Sequence, residues 1–189
     1  MEYKIDIYDA NELKNCRFAL GKSSENSLFI FGLNPSTADN NNPDQTIMKI
    51  MGFAEQNGYT GFVMLNLYPR RATQPENLDK SADKDVIIDN ERVILEQVSK
   101  QKNPNILLAW GNKIYTREYF IKCINRIYNL LTSKIYQINW WRIGDLTQSG
   151  QPRHPSRAPY QDFQKMDMET YFKTLNYVDC NKREPRQAR

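Results

Sequence analysis

Short apolar runs alternate along the chain with stretches of helical periodicity. The apolar runs lie near residues 28–33, 61–67, 105–110 and 134–138. Nearly continuous apolar runs of this length, ended by Asn-Pro, Pro or Gly, are typical of strands that are buried on both faces. The pattern therefore predicts four buried strands.

Each predicted strand is followed by a segment with apolar residues at helical spacing. The clearest case is Ile47, Ile50 and Ala54, which one helix face would bury. We expect this helix to have Asn42 as its N-cap and Pro43 at its first position, and to end at Gly58. Further helices are predicted over 85–100, over 112–131 after the third strand, and over 163–175 after a long polar loop.

Strands that alternate with helices indicate a parallel sheet covered on both faces. We predict an α/β fold, a three-layer α/β/α sandwich with a four-stranded parallel central sheet. A single domain over 1–180 and a basic C-terminal tail over 181–189 are expected. Ligands of such sheets bind beyond the carboxyl ends of the strands, at the point where the strand order switches.

Composition narrows the classes of protein that fit. The 189 residues are 40% hydrophobic and 12% aromatic, enough for a substantial core. No apolar stretch is long enough to cross a membrane, so we expect no membrane partner and a cytoplasmic location. Three scattered cysteines, Cys16, Cys123 and Cys180, predict neither a disulfide framework nor a metal cluster. No cofactor is expected.

Charge is distributed unevenly between the two parts of the chain. Residues 1–110 carry 12 basic and 15 acidic side chains, a net charge of −3. Residues 111–189 carry 14 basic and 7 acidic side chains, a net charge of +7. A basic half is typical of a phosphate-binding face, although a solvated helix surface and a basic tail would produce the same count.

Three polar stretches follow predicted strands and contain the least ordinary residues. They are Gly-Leu-Asn-Pro-Ser-Thr-Ala-Asp at 32–39, Leu-Asn-Leu-Tyr-Pro-Arg-Arg-Ala-Thr-Gln-Pro-Glu at 65–76, and Gln-Pro-Arg-His-Pro-Ser-Arg at 151–157. Together with Asp44 before a helix, these motifs resemble those of domain-of-unknown-function family 1643. The resemblance runs from about Cys16 to Tyr160 and by itself implies no activity.

The order of these loops is also similar to that of uracil-DNA glycosylases. That resemblance implies that Asn34 orients the attacking water, that Asn66 reads the polar edge of a flipped base, and that His154 binds the leaving base. It also places Ser156 and Arg157 at the DNA. Asn34 stands where a well-known branch of that superfamily has a carboxylate, so Asp39 or Asp44 becomes the candidate for the missing acid.

Cleavage of an N-glycosidic bond requires further groups around these residues. An extruded base needs a pocket, an aromatic stacking partner and clamps on its phosphates. We predict Pro35 and Ser36 in the substrate pocket, and Phe53, Tyr68 or Trp110 as stacking partners. Arginine binds phosphate bidentately, which makes the basic side chains of these loops the predicted clamps: Arg70, Arg71, Arg153 and Arg157.

These expectations define the leading hypothesis, a DNA glycosylase-like hydrolase that excises a damaged or modified base, with DNA as partner. Two alternatives stay open. The chain is either a catalytically inactive nucleotide- or nucleic-acid-binding protein of the same fold, or an enzyme that acts on a free nucleoside or nucleotide. Most of the residues also have structural interpretations: Asn34 as a turn residue, Asn66 as a buried amide, and Asp39 and Asp44 as loop and helix-start acids.

Overall fold

The computed structural model describes residues 1–182, with side chains through residue 175. The predicted tail at 181–189 therefore falls, from residue 183 onward, outside the described residues. The strands are β1 (Ile7–Ala10), β2 (Arg17–Lys22), β3 (Ser27–Gly32), β4 (Gly61–Asn66), β5 (Asn105–Leu108), β6 (Asn139–Ile143) and β7 (Phe163–Lys165). The helices are α1 (Gln45–Gln56), α2 (Lys84–Val98), α3 (Glu118–Lys134) and α4 (Met168–Lys182).

All seven strands form one mixed sheet in the order β1-β2-β4-β3-β5-β6-β7. Strands β4, β3, β5 and β6 run parallel to their neighbours in this series. The remaining pairs, β1 with β2, β2 with β4 and β6 with β7, are antiparallel. The α/β class is confirmed, and the sheet is larger than the four strands predicted.

Helices cover both faces of this sheet. Along β3, Leu28 and Ile30 belong to the core on the face covered by α1. Phe29 and Phe31 alternate with them and belong to the core that includes α2, α3 and α4. Every residue of β3 and β4 is buried. These strands have apolar side chains on both faces because both faces are packed.

The last predicted strand and the last predicted helix are displaced. Lys134 ends α3, residues 135–138 are irregular chain, and the strand is β6, which begins five residues later than predicted. In β6, the indole Nε1 of Trp141 donates to Asn105 Oδ1 at 2.9 Å. This side-chain hydrogen bond adds to the backbone pairing of β6 with β5. Phe163 begins β7 rather than a helix, and α4 starts only at Met168.

The start of α1 also differs from its prediction. Asp44, not Asn42, is the N-cap, and its carboxylate accepts from the backbone N–H of Ile47 at 2.9 Å. Pro43 thus lies before the helix instead of at its first position. The carboxylate satisfies an N–H of the first turn, which a helix start otherwise leaves unpaired.

We predict that Phe53 stabilises the fold from the core of α1. Its side chain is 0% exposed, whereas Met48 on the same helix is 56% exposed. Phe53→Ala should lower the free energy of unfolding by about 3–5 kcal/mol, because it leaves a cavity. Met48→Ala, the control, should change it by less than about 0.5 kcal/mol. Urea denaturation measures both; equal effects would contradict this placement of Phe53.

Candidate functional site

A cleft of about 590 Å³ opens at the carboxyl ends of the central strands. Its walls include Gly32, where β3 ends, and Trp110 and Gly111, which follow β5. The helix after β3 packs on one face of the sheet and the helix after β5 on the other. The cleft therefore lies at the switch in strand order, and its volume lies within the range typical of ligand pockets.

The loop after β3 forms one wall and is bound tightly to the loop after β4. Asn34 Nδ2 donates to the carbonyl oxygens of Ala72 at 2.8 Å and of Pro35 at 3.1 Å. In return, the Ala72 N–H donates to Pro35 O at 2.9 Å. Asn34 lines the cleft, and its Oδ1 has no hydrogen-bond partner within residues 1–182. The amide nitrogen is thus structural, while the oxygen remains free to accept a bond.

The carboxylates of Asp39 and Asp44 both accept hydrogen bonds from backbone N–H groups, which is a structural role. Asp44 lines the cleft as the N-cap of α1. Asp39 does not line it, and its Oδ1 accepts from the backbone N–H groups of Asn41 and Asn42, each at 2.8 Å. These bonds favour the charged form and hold the pKa of Asp39 below its ordinary value.

The opposite wall contains the single histidine of the chain. His154 Nδ1 accepts from the backbone N–H of Ser156 at 3.3 Å and lies 2.8 Å from Ser156 Oγ. Because a backbone N–H can only donate, Nδ1 must be unprotonated in this geometry. The ring is then neutral and carries its proton on Nε2, which leaves one donor unused by the described residues.

The surroundings of His154 favour the same neutral ring. Burial is the largest effect and lowers the pKa of His154 below 6.5. The positive charges of Arg157 and Lys113 lower this pKa further, while the carboxylate of Asp44 acts in the opposite direction. A neutral imidazole that donates from Nε2 is the form expected at pH 7.

Asn66 ends β4 and does not itself line the cleft, whereas its neighbours Gly32 and Met64 do. Its side chain is completely buried, and neither Oδ1 nor Nδ2 has a hydrogen-bond partner. A Cβ placed on Gly32, which lines the cleft, would lie 3.0 Å from Asn66 Oδ1. An unpaired buried polar group typically costs about 1–3 kcal/mol, so this amide is an unusual feature of the fold.

Positive charge predominates on the cleft walls. The lining side chains include one carboxylate, that of Asp44, against the cations of Arg17, Lys113, Arg153 and Arg157. Lys113 is paired with Glu76, and Arg153 Nε donates to Asp145 O at 2.7 Å. Arg157 is exposed and makes no side-chain bond with any described residue. An anionic ligand would suit this balance of charge.

Several residues predicted for the site lie elsewhere. Phe53 and Tyr68 belong to the two cores, and the Tyr68 hydroxyl accepts from the Asp83 N–H at 3.1 Å. Pro35 is buried without lining the cleft. Arg70 is held outside the cleft by the carboxylates of Asp79 and Asp83, at 3.5 and 3.7 Å.

Arg71 does not line the cleft either, but it binds the loop after β3 that forms one cleft wall. Its Nη1 donates to the carbonyl oxygens of Ser36 at 2.6 Å and Ala38 at 3.1 Å. Asn34, Ser36, Asp44, Arg153, His154, Ser156 and Arg157 are the predicted residues that the structure brings together on the cleft walls. Trp110 joins them, with its Nε1 bonded to Gln151 Oε1 at 3.2 Å.

Arg17 is the cleft residue that sequence reasoning missed. It begins β2, an antiparallel strand that was not predicted, so its first residue arrives at the carboxyl end of the parallel strands. The side chain is 1% exposed and donates through Nη1 to Ala38 O at 2.9 Å. Burial, followed by the charge of Arg71, lowers the pKa of Arg17 to about 10, so it remains charged at neutral pH.

The family model for a protein of unknown function, DUF1643, matches residues 17–156. The chain belongs to the DUF1643 family. The matched range begins at Arg17 and ends at Ser156, so it includes all of the DUF1643 cleft described above except Arg157 and Ala158. Comparison with curated proteins and with solved structures yields no match.

Within residues 1–182, no helix is both long and apolar enough to cross a membrane. The same described residues contain no group of three or more His, Cys, Asp or Glu side chains arranged to hold a metal ion.

We predict that the single histidine of this DUF1643 protein titrates below pH 6.5. The unfolded chain then takes up a proton before the folded protein does, so stability should fall as the pH drops from 6.5 through the folded-state pKa. NMR of the one imidazole measures this pKa directly. Arg157→Gln should raise it, and Arg126→Gln, which removes an ion pair between α3 and Glu91 of α2, should not. A pKa above 6.5 would contradict the neutral ring.

Proposed function

We propose that this protein hydrolyses the N-glycosidic bond of a damaged or modified base in DNA, on a uracil-DNA-glycosylase-like α/β/α scaffold. The observation that supports this most is the orphaned amide of Asn66 beside a cleft that also holds the neutral ring of His154. One group suits the recognition of a base, and the other suits its departure.

Asn66 supplies the recognition. A planar amide presents one acceptor and two donors, which matches the mixed polar edge of a nucleobase. Because both polar atoms lack protein partners, a base that bonds to them removes an existing penalty instead of competing with another bond. The side chain of Met64 packs against Gly32 beside this amide and also lines the cleft. Methionine changes rotamer readily, so it can yield to an entering base.

His154 supplies the stabilisation of the leaving group. Breaking the bond leaves negative charge on the departing base, and a donor fixed in advance lowers the energy of that state. The Ser156 N–H donates to Nδ1 and orients the ring, so Nε2–H is the donor available to a ligand in the cleft. The donor also needs no protonation event at neutral pH, because its environment keeps the ring neutral.

Asn34 supplies an acceptor for the attacking water. Its Oδ1 is free, while its Nδ2 is fixed by two carbonyl oxygens, so the direction of the acceptor is set. An amide cannot take up the proton of the water at neutral pH. The proton therefore passes to the solvent or to Asp44, the carboxylate that lines the cleft.

A binding protein without chemistry is the second candidate, and one observation favours it. Both nearby carboxylates are already engaged, Asp44 by the Ile47 N–H and Asp39 by its own loop. A site without a free general base can bind a nucleotide and leave it intact. Binding without base release is the result that would identify this case.

The direct experiment is an excision assay on end-labelled oligonucleotides. Each carries one uracil, hypoxanthine or ethenocytosine, as a single strand and as a duplex, and alkali reveals any abasic site. The proposal expects strand breaks at the position of at least one modified base. Salt-dependent binding with no break on any substrate would favour the binding protein.

Two substitutions of His154 separate its role as a donor from its role as a cap. His154→Asn keeps a short acceptor for the Ser156 N–H but removes the Nε2 donor, so base release should fall by about 100 to 1,000-fold. His154→Gln can place an amide N–H near the Nε2 position and should keep more activity. Single-turnover rates decide. An Asn variant as fast as the native protein would remove His154 from the mechanism.

A further inference from the structure

The guanidinium of Arg17 is a buried charge without a counter-ion. It is 1% exposed and forms no ion pair with a carboxylate in the described part of the chain. Its Nη1 donates to the carbonyl oxygen of Ala38, and its Nε is buried without a partner. A buried charge in this state is strongly unfavourable unless something completes its interactions.

Arg17 lies in a cleft whose lining cations outnumber its one lining carboxylate. Burial lowers the pKa of Arg17, and the nearby charge of Arg71 lowers it further. The carboxylate of Asp44 raises it. The carboxylate of Asp44 is also bonded to the Ile47 N–H. Asp39, whose carboxylate lies near Arg71, does not line the cleft, so Asp44 is the carboxylate that shares the cleft with Arg17.

The first turn of α1 adds a second, independent feature to the same cleft. Gln45, Thr46 and Ile47 all line it. The Ile47 N–H is capped by Asp44, whereas the N–H groups of Gln45 and Thr46 have no partner among the residues described. Free N–H groups at the start of a 12-residue helix attract anions, because the helix dipole adds to their own polarity.

We propose that Arg17 and the first turn of α1 bind a phosphate monoester inside the cleft, so that the ligand of this site ends in a terminal phosphate. An internal phosphodiester continues on both sides, so its chain would have to enter and leave the cleft to bring its oxygens to Arg17, which is 1% exposed, whereas a terminal phosphate enters from one side. A monoester also carries about −1.5 to −2 charges at pH 7, which suits a cleft lined by four cationic side chains and one carboxylate.

This inference deepens the proposed function, on which it rests only for the nucleotide nature of the ligand. It names the ligand as a nucleotide with a terminal phosphate, which in DNA is the end of a strand. A free nucleoside monophosphate carries the same group and is the other source that the ligand pairs below distinguish. Phosphate binding needs no bond cleavage, so it can be measured whether or not the protein releases a base.

The experiment is calorimetric titration of the purified chain with sodium phosphate at constant ionic strength. We expect saturable binding that falls at least about tenfold in Arg17→Met, because a charge-assisted hydrogen bond is lost. Arg70→Met is the control, since Arg70 is a half-buried arginine that lies outside the cleft, and it should bind like the native protein. Equal binding by native protein and Arg17→Met, or no saturable binding, would overturn the proposal.

Gln45→Pro tests the helix without removing a charge. Proline is well tolerated at the first position of a helix and deletes the N–H of residue 45. The backbone of Asp44 already has the extended conformation that a following proline requires, with φ −88° and ψ 174°. Binding should weaken several-fold while the fold is kept. If Arg17→Met does not fold, Arg17→Lys takes its place and should weaken binding through the loss of the planar fork.

Two pairs of ligands distinguish the sources of the phosphate. Deoxyuridine monophosphate is compared with deoxyuridine, and a short oligonucleotide with a terminal phosphate is compared with one that lacks it. The proposal requires the phosphate to increase affinity in at least one pair, and the pair with the larger gain identifies the source. No gain in either pair would overturn it, even if the excision assay were positive.

Discussion

One carbonyl oxygen, that of Ala38, accepts from two guanidinium groups, and the cleft depends on this interaction. Arg17 reaches it from β2 at 2.9 Å, and Arg71 reaches it from the loop after β4 at 3.1 Å. The loop between β3 and α1 has little regular structure of its own, so these donors replace the bonds that a helix or strand would supply. Burial, and after it the like charge of Arg71, lowers the pKa of Arg17 to about 10.

Other features of the site follow from the position of that loop. These two guanidinium groups hold the loop that leads into α1, where the unpaired N–H groups of Gln45 and Thr46 line the cleft. It also holds the loop on which Asn34 donates to Ala72 O. The opposite wall is fixed separately, since the Gly111 N–H donates to Pro152 O at 3.0 Å and brings His154 to the cleft. Two independently fixed walls at the switch point of a parallel sheet form a preorganised pocket.

The central strands could be predicted from the sequence, because β3 and β4 are buried on both faces and read as continuous apolar runs. The outer strands of the sheet could not be predicted in the same way. Edge strand β1 is only half-buried and edge strand β7 is mostly exposed. Strand β6, next to β7, mixes polar and apolar residues, so none of the three has a clear local pattern. Asn34 and His154 were predictable from their places after strands. Arg17 was not, because its importance depends on an antiparallel strand and on contacts with residues far along the chain.

The proposed function requires that the cleft beyond β3 and β5 bind a nucleotide. NMR shift mapping on isotope-labelled protein, titrated with a short single-stranded oligonucleotide, locates the bound ligand residue by residue. We expect the amide signals of Asn34, Thr46, Gly111 and Ser156 to shift together. Ser24 and Gln101, which line a cavity of about 420 Å³ elsewhere on the surface, should not respond. Shifts confined to that second cavity, or none at the cleft, would show that the nucleotide does not bind where we propose.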